Sequence, residues 1–357
     1  MRILMITDSY PHQEKPYLTT FHHEHAKVLA RIGDVRVLTL IRGRRFGFRR
    51  YIRDGIEVEA FEIPYVKGWG FVFFPLSVIS HFIQSSRGLR GFEPDVVILQ
   101  MALPHGIAYL PLRWWRRYIL VEHSSSAHRK NILLERMVVR GASGRYTVSS
   151  FYRKLLEKKL GVDFHGVIPN PISVEERRCD NSSGVIFVGR LDENKAPHLY
   201  VESARLLPHM RFTLVGEDTG TPYSKRILGN LPRNVHYAGA VSRSTVLDLI
   251  CGSDMLVSTS RFETFGVAIA EALALGKPVV WTDSGGPGDF LNEGNSVLVR
   301  ERTPHAVARA IEEAYRRLKS GHFDPEEIRR GILRYAGVDA VERRYREAIS
   351  RLLEEER

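Results

Sequence analysis

The chain has 357 residues, too long for one ordinary domain and suited to two of typical size. With 43% hydrophobic and 26% charged residues it has a globular balance that excludes wholesale disorder. The formal charge of +11 is lopsided: residues 1–170 carry 26 Lys and Arg against 14 Asp and Glu, whereas the remainder carries 26 against 27.

A basic half beside a neutral one fits an anionic partner such as nucleic acid, an anionic lipid surface or a phosphorylated substrate. The two cysteines, Cys179 and Cys251, have neither metal-ligand spacing nor framework density, which points to a reducing compartment. The start, MRILMITDSYPHQEK, reaches charge within a few positions and reads as a first strand, not a leader. The longest apolar run, Trp69 to Ile83, contains Pro75 and His81 and falls short of the ~20 residues of a spanning helix. A cytoplasmic protein is expected, or one resting peripherally on the inner face of the plasma membrane.

Along the chain, short β-rich runs alternate with longer helical patterns, the mark of parallel α/β structure. Strands are expected at Arg2–Thr7, Val35–Leu40, Asp95–Gln100, Tyr118–Glu122 and Tyr146–Val148, with helices at Phe21–Arg31 and Gly106–Arg116. The turn HGVIPNP (165–171) and the polar stretch Ser173–Ser183 form the best linker. A second series follows, with strands at Val185–Val188, Arg211–Val215, Val235–Tyr237, Met255–Ser258 and Pro278–Thr282. Its helices are Ala196–Leu206, Ser244–Ile250 and Thr264–Leu275, and a charged helical tail begins at Pro325. The economical architecture is two doubly wound parallel-sheet domains facing across a cleft, 1–170 and 171–341, with a last helix (about 342–357) packing back on the first.

Open α/β sheets bind ligands beyond the carboxyl ends of their strands. Three second-half segments qualify. VIFVGRLDENK puts Gly189, Arg190 and Lys195 just past a strand, where a guanidinium and an ammonium can clamp a diphosphate or simply line a solvated basic loop. RFETFGVAIAEALALGKPVV places Phe265, Gly266 and Val267 at a helix start, whose amides and dipole favour phosphate. Glu263 precedes that start and Glu271 follows eight residues later, roughly 12 Å along a helix. Two carboxylates so spaced suit sugar and ribose hydroxyls, though such pairs are common on exposed helices. TDSGGPGDF, with Gly285 and Gly286, is either a tight turn against a ligand or an ordinary loop.

GRLDENKA, VGED, HYAGAVS, FETFGVAIAEALALGKPVV and TDSGG stand in the order and spacing of family 4 of the retaining glycosyltransferases, which this chain resembles. The resemblance covers the whole second half and extends more loosely over the first through the opening strand, PHGIAY, VEHSS and VIPNP. It implies the GT-B fold, a UDP- or GDP-sugar donor and a saccharide or lipid-linked acceptor. By it, Arg190 and Lys195 bind the diphosphate, Glu263 the sugar hydroxyls, Thr264 to Val267 the sugar and phosphate, Glu271 the ribose, and Val241 lies by the base. His123 matches the family histidine that faces the sugar.

The chain departs from the family pattern where glycine is usual: KPYLTTF stands in the first loop, so that Thr19 or Thr20 fills the place, and Ala196 follows the lysine. Asn-Gly at the crossing is replaced by Asn170-Pro171. No Asp-x-Asp triplet occurs, so no metal and no cofactor beyond the donor is expected. Retention by front-face attack is an implication of the family alone.

For the acceptor side, Arg129 and Lys130 could meet a phosphate. The run Arg42–Arg50, with five arginines around Phe46 and Phe48, and WGFVFFP (69–75) could dock on an anionic membrane. The alternative is a solvated hairpin with core aromatics. A nucleic-acid module leaves the donor motifs without a use and shows no nucleic-acid motif. An inactive binding protein of the same fold would be expected to lose one of the four charged donor residues, and a nucleotide-sugar epimerase would not need this combination of motifs.

Overall fold

The computed structural model describes residues 1–15, 18–64, 70–123, 131–175, 177, 179 and 182–354, leaving aside the side chains of 70–72. The chain divides into two compact units, residues 1–171 with 338–357, and residues 172–337.

The first unit holds an eight-stranded sheet. In chain order its elements are β1 (Arg2–Thr7), α1 (Thr20–Ala30), β2 (Asp34–Gly43), β3 (Gly47–Arg53), β4 (Ile56–Pro64), α2 (Gly70–Phe92), β5 (Val96–Gln100), α3 (His105–Tyr109), β6 (Tyr118–Glu122), α4 (Ile132–Gly141), β7 (Gly144–Thr147), α5 (Ser150–Leu160) and β8 (Gly166–Val167). Strand order is β3-β4-β2-β1-β5-β6-β7-β8, parallel apart from the antiparallel edge pair β3/β4. β1, β5 and β6 are continuous apolar runs buried on both faces, as a helix-covered parallel sheet requires.

Three local expectations change. Arg42–Arg50 spans the end of β2 and the start of edge strand β3, whose arginines pair along the edge: Arg49 with Glu62 at 2.5 Å, Arg50 with Glu59 at 3.0 Å. Charge on an edge strand opposes pairing with other chains. The apolar run ending at Ile83 is the first part of the 23-residue α2; its Trp69 lies outside the described residues. The helix expected at Gly106–Arg116 stops as the short α3 and tightens into a 3-10 turn at Leu110–Leu112, because Pro111 has no N–H to continue it. Among the described residues no helix is long and apolar enough to cross a membrane.

The second unit holds a six-stranded parallel sheet. Its strands are β9 (Val185–Val188), β10 (Phe212–Val215), β11 (Val235–Gly239), β12 (Met255–Ser258), β13 (Val279–Thr282) and β14 (Ser296–Val299), in the order β11-β10-β9-β12-β13-β14. Around it lie α6 (Pro197–Leu206), α7 (Pro222–Leu228), α8 (Arg243–Cys251), α9 (Val267–Ala274), α10 (Pro304–Lys319) and α11 (Pro325–Ala336). Caps mark the helix starts: Ser242, Thr221 and Thr303 each accept a backbone N–H three residues on, the last two followed by proline.

The cysteines, whose spacing and number point to a reducing compartment, nevertheless form a disulfide between Cys179 and Cys251, the last residue of α8. Seventy-two residues separate them, so only the packing of the segment after the crossing against α8 could reveal the pair. Where the chain enters and leaves this unit, Ile172 N–H donates to Ala336 O at 2.8 Å and Ile172 bridges Gly337. The last helix, α12 (Val338–Glu354), belongs to the first unit and packs beside α1, with Arg31 bonded to Asp339 at 2.8 Å and Glu342 at 2.9 Å.

Candidate active site

The chemistry of the second unit gathers at the carboxyl ends of β9, β12 and β13. Three loops are stitched together there by hydrogen bonds to backbone carbonyls. Arg261 N–H donates to Asn194 O at 2.7 Å, Thr259 Oγ1 to Ala196 O at 2.9 Å, and Glu263 N–H to Ser284 O at 2.8 Å. Gly286 N–H returns to Glu263 O at 3.0 Å, and a Cβ at 286 would sit 2.2 Å from Thr264 O, so only glycine fits. The Gly285–Gly286 pair is therefore a seat for the segment that carries Glu263. Gly216, just past β10, meets Gly189 in the same way: a Cβ there would lie 1.8 Å from Gly189 O.

On this frame Lys195 and Glu263 come together. Lys195 Nζ donates to Glu263 Oε1 at 2.5 Å, with side chains 25% and 13% exposed. Ser260 Oγ donates to the same oxygen at 2.7 Å. Gly189 lies against the Lys195 stem. Arg190 is not part of this pair; its guanidinium is mostly exposed and bonds Asp192 at 3.0 Å.

The helix after Glu263 begins later than its sequence suggests. Glu263 makes a β-bridge with Gly285, Gly266 takes φ 90° as the cap, and α9 starts at Val267 instead of Thr264. The first helical bond runs from Ala270 N–H to Gly266 O, so the unpaired amides are those of Val267 to Ile269. Thr264 and Phe265 precede the helix, and the Phe265 ring is buried against Phe290, leaving only its backbone to face a ligand. The 12 Å helical spacing between Glu263 and Glu271 does not apply, since only Glu271 is helical. Glu271 is nearly buried and its Oε1 accepts from Arg243 Nε at 2.7 Å; Val241, half-buried, lies in the loop before Arg243. The helix ends as expected, with Gly276 left-handed at φ 71°.

Four supporting residues escaped the sequence reading: Ser260, Asn194, Arg243 and Arg302. Arg302 gathers strand-end carbonyls, donating to Ser260 O at 2.9 Å and Asp283 O at 2.6 Å. Its neighbours in space are 19 and 42 residues away, so no local pattern announces it.

His123 lies in the first unit, where a buried polar cluster surrounds it. Its Nδ1 is 2.9 Å from Asn170 Oδ1 and its Nε2 meets Gln100 Oε1. His25 Nε2 shares Asn170 at 3.1 Å and its Nδ1 meets Tyr345 Oη, from α12, at 2.7 Å. His22 bonds Thr7 Oγ1 at 2.7 Å and packs edge-on to the His123 ring. Burial pushes these rings toward neutrality: His22 to about 4, His25 to about 3, and His123 well below 6.5, the last also opposed by His25 and His22.

Thr19 caps α1 in the left-handed region at φ 44°, its hydroxyl donating to Ser9 O at 3.1 Å, and Thr20 is the first helical residue. Ala196 is likewise left-handed at φ 49°. Both stand where the resemblance places glycine, and the backbone has kept the glycine conformation. A cavity of about 150 Å3 beside Thr19 is lined by Asp8, Ser9, His12, Lys15, Leu18 and Arg42. Arg129 and Lys130 lie outside the described residues.

Two family profiles match: Glycosyltransferase Family 4 over residues 17–176, and Glycosyl transferases group 1 over residues 182–317. A GDP-mannose-dependent alpha-mannosyltransferase from Mycobacterium tuberculosis (strain CDC 1551 / Oshkosh) is 30% identical over 64% of this chain and 68% of its own length. The chain spans only 38%, 58% and 51% of the length of three other curated relatives. Among solved structures, sucrose-phosphate synthase from Thermosynechococcus elongatus superposes with a TM-score of 0.77 at 16% identity, covering 99% of both chains. Anabaena Alr3699/HepE, solved in complex with UDP and glucose, gives 0.74 at 19% identity over 98% of this chain and 99% of its own. At such identities these two speak for the fold, which is GT-B. The chain belongs to glycosyltransferase family 4.

Proposed function

We propose that the protein transfers a hexosyl group from a nucleoside-diphosphate sugar, UDP- or GDP-linked, to a hydroxyl of a saccharide or lipid-linked acceptor. The observation that carries this is the Lys195–Glu263 pair held by three strand-end loops just before the amino end of α9. HepE with UDP and glucose supports a nucleotide donor, and the GDP-mannose-dependent relative supports the same class.

Lys195, the outer Arg190 and the amides of Val267 to Ile269 are suited to hold the two phosphates and stabilise charge on the departing nucleotide. Fixed cations in a partly buried site make a metal unnecessary for that task. Glu263, oriented by Lys195 and Ser260, would accept from hydroxyls of the transferred sugar, and Glu271, turned by Arg243, from the ribose. As the bond from C1 to the phosphate oxygen breaks, an oxocarbenium-like centre develops and the acceptor oxygen bonds to C1. On the front face the acceptor proton passes to the departing phosphate oxygen, so the configuration is retained.

The test is a panel of nucleotide sugars with saccharide and lipid-linked acceptors, read by nucleotide release and by the anomeric NMR signal of the product, with and without chelator. Turnover of one donor with a retained product in the presence of EDTA is expected. An inverted product or an EDTA-sensitive rate would overturn the corresponding part, and failure of every donor to bind or react would overturn the whole.

A further inference from the structure

The outer helical layer of the first unit turns part of its apolar surface to water. β4 to β5, β5 to β6 and β6 to β7 all step in one direction along the sheet, so right-handed crossovers put α2, α3 and α4 on one face, with α1 on the other. A helix between a core and water turns its apolar side inward. Between residues 77 and 85 α2 does the reverse: Ser77, Ser80, His81, Gln84 and Ser85 are buried, whereas Ile79, Phe82 and Ile83 face outward; its last turns bury Leu89 and Phe92 in the usual way. α4 buries Val138 and Val139 together with Glu135, which lies beside Lys159, yet it also leaves Leu133 74% exposed, flanked by the exposed Ile132 and Met137.

The two helices belong to one continuous surface. Gly106 of α3 sits so close to Val138 of α4 that a Cβ would clash, and the His105 ring of α3 lies 5.4 Å from that of His81 of α2, the two planes tilted by 58°. After α3 come Trp114, 84% exposed, and Trp115. Arg90 from α2 lies over the Trp115 ring and Arg113 over Trp114. Between residues 70 and 141 the sequence has nine Lys and Arg and four Asp and Glu, and two of those acids, Glu122 and Glu135, are fully buried.

We propose that this face docks on an anionic phospholipid bilayer. Outward Ile, Phe and Leu need a neighbour less polar than water, and protruding tryptophans suit the boundary between headgroups and acyl chains. Arg90 and Arg113 cover the tryptophan rings, and two of the four acids in this stretch are buried, which complements a negatively charged lipid layer more than a neutral protein surface. The face lies on α2, α4 and the tryptophan turn, whereas the arginines of edge strand β3 pair with Glu59 and Glu62. The proposal stands apart from the transfer reaction, because docking needs no donor.

The test uses the full chain with vesicles of phosphatidylglycerol and phosphatidylcholine in equal parts, and with phosphatidylcholine alone. Co-sedimentation with the mixed vesicles only, and quenching of tryptophan fluorescence by bromine-labelled acyl chains, are expected. Trp114→Ser with Leu133→Ser should weaken partitioning by about tenfold or more, and Ile83→Gln alone by less. Arg44→Gln with Arg45→Gln, which leaves the face intact, should change it less than either. Absence of partitioning, or partitioning unchanged in both apolar-face variants, overturns the proposal. So does light scattering that shows a dimer split by the same substitutions, which would assign the face to a second copy. Quenching in the unmodified chain keeps the test decisive if a variant folds poorly.

Discussion

The polar clusters that hold the sequence-predicted site residues of the two units are built by opposite means. In the second, charged side chains are paired near the surface and drawn from three loops that the sheet brings together at one end: Lys195 with Glu263, Glu271 with Arg243. In the first, uncharged rings and amides are buried together from points scattered over the chain: Thr7, His22, His25, Gln100, His123, Asn170 and Tyr345. Charge near solvent is cheap to keep and quick to respond to an incoming anion. A buried neutral network rests on its hydrogen bonds and on the protonation state of every member. The contrast predicts that substitutions in the second unit show in the rate, and that acid shows in the stability of the first.

The largest effect should come from acid. The ordinary histidine value is 6.5, whereas folded His22 sits at about 4 and folded His25 and His81 at about 3. Between those values the unfolded chain binds more protons than the folded one, so stability falls as pH drops from 6.5 toward 4. Each ring contributes up to about 1.4 kcal/mol per pH unit. Melting curves across that window should therefore steepen toward acid. His81→Leu should flatten the slope by about one ring's share. It should also stabilise at neutral pH by about 1 kcal/mol, since among the described residues no hydrogen-bond partner meets either His81 nitrogen. An unchanged slope would mean that this ring is not neutral and buried.

Next comes Lys195→Ala, which should cost about 10²- to 10³-fold in kcat/KM. Its melting temperature should move little, because Ser260 still bonds Glu263. A loss below about tenfold would move the phosphate clamp elsewhere. Third, reduction of Cys179–Cys251 should destabilise the second unit by about 2–4 kcal/mol, read as a lower denaturation midpoint, and Cys179→Ser should abolish the sensitivity to reductant. The smallest effect belongs to Ala196→Gly. Relief of a left-handed alanine outweighs the added chain entropy by less than about 1 kcal/mol, so a slight rise in midpoint is expected.

What could be read in advance follows the same division. Strands such as β1, β9 and β12 announce themselves as apolar runs, and Lys195, Glu263 and Gly266 stand in dense local motifs whose spacing carries the chemistry. Edge strand β3 did not, because an exposed strand lacks clean alternation, and the start of α9 was misplaced because a tertiary bridge from Glu263 to Gly285 holds the chain extended. Arg302, Arg243 and the disulfide were invisible, since their partners lie 19 to 72 residues away. Tyr345 is the extreme: it reaches His25 across 320 residues.

Because Ile172 and Gly337 are bridged, the polypeptide enters and leaves the second unit at adjacent points. Residues 172–337 thus form a cassette with neighbouring ends, one that can be expressed by itself or exchanged between relatives as a single uninterrupted stretch. The remainder offers no such freedom. A gene cut after residue 171 yields a fragment missing the helix that supplies Tyr345, with the His25 ring left short of its hydroxyl.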